Sequence, residues 1–135
     1  MRRKLAALVG TVLLAGGTLA SATSASAASA QPNADSWDHI WTTSDSAHGG
    51  TIYIHEHGDT VRLCDTAADG ATPRALVFWS SGHYVLTAGG GVNHCIEVNA
   101  TVPGADLPEN TDIYVDIWRG PNQVDETNHV YFNDL

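Results

Sequence analysis

TIYIHEHGDTVRLCD, residues 51–65, decides the fold. Its first half alternates Ile52 and Ile54 with Tyr53, His55 and His57, and its second half alternates Val61 and Leu63 with Arg62 and Cys64. A period of two means extended strands that bury one face, because successive side chains leave a strand on opposite sides. Gly58-Asp59 lies between the halves and supplies turn chemistry. TIYIHEH (51–57) and TVRLCD (60–65) therefore read as the two arms of a hairpin.

The same period continues outward. RALVFW (74–79) is apolar enough for a central strand, and Ser80-Ser81-Gly82 turns it into HYVLT (83–87). VNHCIEVN (92–99) follows a triple glycine. TDIYVDIW (111–118) sets Ile113, Val115 and Ile117 against Tyr114, Asp116 and Trp118, and NHVYF (128–132) closes the series. The intervening segments 67–73, 101–110 and 119–127 are loops. No segment carries helical periodicity. About seven short strands with frequent turns predict an all-β fold, a small antiparallel β-sandwich or barrel. The β-domain spans 51–135, and 31–50 reads as a polar N-terminal arm in which Trp37, Ile40 and Trp41 are embedded.

Residues 1–30 carry the pattern of a secretory signal peptide. Arg2, Arg3 and Lys4 precede an apolar run over 5–20, and a small-residue tail offers cleavage after Ala27 or Ala30. The run is interrupted by glycines and is shorter than the ~20 residues of a membrane span. A secreted, extracellular chain with no membrane attachment in its mature form is expected. From residue 31 onward fifteen acids face only Arg62, Arg74 and Arg119, a net charge of −12. That excess argues against nucleic acid, whose phosphates need a basic surface. No lysine follows Lys4, so Schiff-base chemistry is excluded. Cys64 and Cys95 are the only cysteines, and an even pair in an exported chain predicts a disulfide. On a chain-entropy argument it contributes roughly 3–4 kcal/mol.

His55 and His57, two apart on a strand, share a face with Cα atoms ~6.5–7 Å apart and could grip one metal ion, although zinc needs at least a third protein ligand. His83 and His94 are the histidines available for that role. The plainer reading is a polar strand face opposite Ile52 and Ile54, and no cofactor is implied. Asp65 and Asp69-Gly70 offer too few oxygens in the right spacing for a calcium loop. Asp112 and Asp116 fall ~13 Å apart along one strand, beyond the ~5–9.5 Å of a glycosidase pair. No Gly-x-Ser-x-Gly elbow occurs. Residues 107–111 lack the remainder of a cell-wall sorting signal. The aromatics are the stronger feature: Tyr114, Asp116 and Trp118 share one strand face and could meet a sugar or a protein.

The run Gly58-Asp59-Thr60-Val61-Arg62-Leu63-Cys64-Asp65-Thr66-Ala67-Ala68-Asp69-Gly70, followed by Cys95 in GGGVNHC, resembles a pattern in small secreted actinobacterial proteins of unknown function. The resemblance covers residues 50–118 and implies no established activity. Many members carry a further cysteine pair where this chain has IYVDIWRG. The expected function is a non-catalytic binding or interaction module for an extracellular protein or carbohydrate. The alternatives are an inhibitor of an extracellular hydrolase, presenting loop 101–110 or 119–127, and a metal-binding protein using His55 and His57.

Overall fold

A computed structural model describes residues 36–135; the signal-like segment 1–30 lies outside the described residues. The opening hairpin is present as β2 (Gly50–His55) and β3 (Thr60–Asp65), antiparallel, with Ile52 opposite Leu63 and Ile54 opposite Val61. All four side chains are fully buried. The turn is longer than a Gly58-Asp59 pair. β2 ends at His55, which pairs with Thr60, and residues 56–59 form the loop, with Gly58 and Asp59 both at positive φ (86° and 53°). Side chains hold the loop in this form. Glu56 turns inward to His39 (2.6 Å), and Asp59 accepts the Leu107 N–H (3.0 Å).

Two neighbours extend this sheet. β1 (His39–Thr42) pairs with β2, so the segment read from sequence as a polar arm contributes an edge strand. β6 (Cys95–Val98) pairs with β3 on the other side. Cys64 and Cys95 are direct cross-strand partners joined by a disulfide of 2.01 Å. The first sheet therefore runs β1-β2-β3-β6. The second contains β4 (Pro73–Trp79), β5 (Gly82–Thr87), β7 (Thr111–Arg119) and β8 (Thr127–Asn133) in the order β5-β4-β7-β8, all antiparallel. The described residues contain no helix.

One core joins the two sheets into a sandwich. Ile52, Ile54, Val61 and Leu63 from the first meet Ala75, Val77, Leu86, Ile113, Val115 and Ile117 from the second. Burying each larger aliphatic side chain is worth about 1.5–3 kcal/mol. Along one side, β1 and β8 close the sandwich with rings. Trp41 stacks on His129 (4.5 Å, 1°), and His39 packs on Tyr131 (4.6 Å).

At one end Arg119 gathers three loops. Its Nε lies 3.0 Å from Asp45 Oδ1, its Nη2 donates to Asp125 Oδ2 at 2.8 Å, and its Nη1 donates to Asp69. The guanidinium crosses Gly49 so closely that a Cβ there would sit 2.8 Å from Nη1. A side chain at position 49 would therefore push on the Arg119 and Asp69 side chains.

Candidate functional site

Strand alternation leaves one half of every strand facing outward, and the two sheets treat that half differently. On the first sheet Trp37, in the lead-in to β1, lies against Tyr53 (5.5 Å) and His55 (4.6 Å), with the Arg62 guanidinium 4.7 Å from its ring centre. Arg62 also pairs with Glu97 at 2.7 Å. That outer face is polar and partly roofed.

The outer face of the second sheet is open and carries large apolar side chains among polar ones. Register aligns His83, Phe78, Tyr114 and Val130 in one row across β5, β4, β7 and β8, and Val85, Leu76, Asp116 and Asn128 in the next. Phe132 extends the patch from β8, opposite Asp112. Val85 and Val130 are each 54% exposed, Phe132 53% and Tyr114 41%. Strands spaced ~4.8 Å apart make such a row a continuous surface rather than scattered side chains. Phe78 and Tyr114 stack on each other across the strands (5.1 Å, 20°). Beside the β4–β5 hairpin the face dips into a shallow, open depression bounded by Leu76, Phe78, Trp79, His83 and Val85.

Of the residues singled out from sequence, Tyr114 and Asp116 lie on this face. Asp116 accepts from the Asn128 amide at 2.7 Å. Trp118 has the same strand parity, yet it is only 8% exposed. It sits opposite Arg74 at the end of the sheet, where loops 66–72 and 120–126 meet (Gly120 N–H donates to Thr72 O, 3.2 Å). Tyr114 and Trp118 therefore do not form one exposed pair. Phe78, Val85, Val130 and Phe132 were not singled out from sequence. Their signal was parity within RALVFW, HYVLT and NHVYF, hidden in RALVFW because both faces of that strand are apolar.

His55 and His57 are not two positions of one strand face. His55 ends β2, packs at a tilt against Trp37 and lies 3.5 Å from Asp38, whereas exposed His57 belongs to the turn. His83 and His94 are exposed on other elements. Among the described residues no three His, Cys, Asp or Glu side chains converge in a geometry that could hold a metal ion.

The polar groups with displaced pKa values lie in the end cluster of Asp45 and Arg119 or in the buried interior, and none is on the open face. Burial raises the Asp59 carboxyl, with Asp106 and Glu109 adding to the rise. Burial also pushes the Tyr84 and Tyr131 hydroxyls above the usual phenol range, and neither hydroxyl has a hydrogen-bond partner in the protein. Burial lowers His129, opposed by the charge of Asp116. None of these groups lines the depression on the second sheet. Comparison with known proteins finds no matching family model, no matching curated protein and no matching solved structure.

Proposed function

We propose that this chain is a secreted, non-catalytic binding module whose contact surface is the outer face of the second sheet. The contiguous exposure of Val85, Tyr114, Val130 and Phe132 across that face carries the reading. Contiguous apolar surface of this kind tends to mark interaction sites on soluble domains. The neighbouring open depression adds relief to that surface. Secretion is supported by the signal-like residues 1–30 and by the disulfide, which suits an oxidising compartment. A photo-crosslinking residue placed at Val130, with a control at Glu97 on the first sheet, tests the surface in the medium of the producing cells. A discrete adduct from position 130 alone is expected. Equal adducts from both positions, or none from 130, would overturn it.

A second reading has its own observation. Val124 is 78% exposed at the tip of loop 120–126, and the loop is fastened by the Arg119–Asp125 pair and by Ser44 N–H donating to Asp125 O (3.1 Å). An apolar residue on a braced loop suits an inhibitor of an extracellular hydrolase. Titration against secreted proteases that prefer small aliphatic side chains decides this. Inhibition lost in Val124→Asp supports it, and no inhibition at micromolar concentration refutes it.

A further inference from the structure

Resting on the assignment of the second sheet's outer face as a binding surface, we infer that its occupant is a protein segment presenting apolar side chains within a rim of lysine or arginine. The charge around the face selects this partner. Asp112 and Asp116 stand on β7 among the apolar residues, Glu126 precedes β8, and Asp134 lies two residues beyond Phe132. Asp116 and Glu126 both accept from the single Asn128 amide nitrogen, at 2.7 and 2.9 Å. Two carboxylates are thus drawn to one neutral donor next to Val130. Each keeps acceptor capacity for a cation, because an ionised carboxylate has about four acceptor sites. Of the three arginines in the described residues, Arg62 is paired with Glu97 and Arg119 with three aspartates. Only Arg74 offers positive charge to this face.

Three other occupants fit less well. A second copy of the chain would set Asp112 and Asp116 against an equally acidic surface, and opposed like charges disfavour an interface. An anionic membrane is repelled by the same groups. A sugar ring stacks on a free aromatic face, but Phe78 and Tyr114 already stack on each other. An apolar strip with basic flanks satisfies both the aliphatic surface and its acidic rim, and long-range attraction also speeds such an encounter.

Two strand-forming peptides with identical valine and phenylalanine positions test the assignment. One carries lysine at the alternate positions and the other glutamate. The intact, disulfide-bonded chain is titrated with each and followed by amide chemical shifts. The lysine peptide is expected to shift Val85, Tyr114, Val130 and Phe132, to bind at least tenfold more tightly than the glutamate peptide, and to weaken severalfold between 50 and 300 mM salt. Asp116→Asn combined with Glu126→Gln should weaken the lysine peptide severalfold while leaving the glutamate peptide no weaker. Equal binding of both peptides at the face would overturn the basic partner and leave the binding surface standing. No shift at the face with either peptide would overturn both. Self-association in sedimentation that Val130→Asp abolishes would replace the basic partner with a second copy.

Discussion

Replacing Arg119 with methionine tests whether the end of the sandwich is held by charge. The guanidinium is 14% exposed and serves Asp45 (7%), Asp69 (29%) and Asp125 (27%). Methionine keeps much of the apolar stem but leaves three carboxylates facing one another. Breaking a fully buried ion pair costs ~3–5 kcal/mol, and the partial exposure of Asp69 and Asp125 reduces this to about 2–4 kcal/mol. For a domain near 100 residues that is a drop of roughly 10–25 °C in Tm. The pH dependence supplies a second handle. Burial alone would raise the Asp45 carboxyl, but the Thr43 hydroxyl, the Gly49 amide and the Arg119 charge outweigh it and hold the group below the usual carboxylate range. A carboxyl lowered in the folded state contributes stability above its unfolded value near ~4, and that contribution is lost as pH falls through the folded value. Without Arg119 the lowering weakens, and acid also relieves the repulsion among the three carboxylates. The gap between the two proteins should therefore shrink below pH ~4. Urea unfolding followed by tryptophan fluorescence at pH 7 and pH 3 measures both quantities. A gap under ~0.5 kcal/mol at pH 7, typical of a surface pair, or one that does not change with pH, refutes the reasoning.

Three further outcomes follow from the same structure. Reducing the Cys64–Cys95 bond, which closes a separation of 31 residues, should cost about 3–4 kcal/mol; thermal unfolding with and without reductant checks it, and an unchanged Tm would contradict it. Gly82→Ala would place a methyl 2.5 Å from Trp79 Cζ2 and should cost about 1–3 kcal/mol with a change in tryptophan emission. His129, lowered in the folded state by burial, favours folding while neutral, so its contribution is present above its unfolded value near ~6.5 and lost as pH falls below it. His129→Gln should flatten stability between pH 7 and 5, and an unaltered profile there would count against this assignment.

Much of the scaffold was legible because its strands announce themselves locally. Ile52, Ile54, Val61 and Leu63, and later Ile113, Val115 and Ile117, alternate without interruption, and all are buried as their spacing predicts. β1 was not legible. Its inward side chains are His39 and Trp41, which carry no apolar alternation and become half-buried only against Tyr131 and His129 from the far end of the chain. β6 is shorter than the 92–99 run because Gly90, Gly91 and Asn93 take positive φ, and residues 93 and 94 bond to the backbone of Asp65 instead.

The candidate site divides along the same line. Residue order alone determined the strand periodicity, the acidic excess and the pairing of two lone cysteines, since each depends on identity and spacing along the chain. Tertiary structure decided which outward faces stay open. Tyr114 and Trp118 have the same parity, yet only Tyr114 is exposed, and Trp37 partly roofs one sheet while the other stands bare. Parity specifies the side of a sheet on which a residue stands. Its accessibility depends on what distant segments bring to that side, as Arg119 does when it gathers Asp45, Asp69 and Asp125 from three loops. The opening hairpin shows both halves of the rule: Ile52, Ile54, Val61 and Leu63 follow from spacing, and the inward turn of Glu56 follows from its contact with His39 on β1.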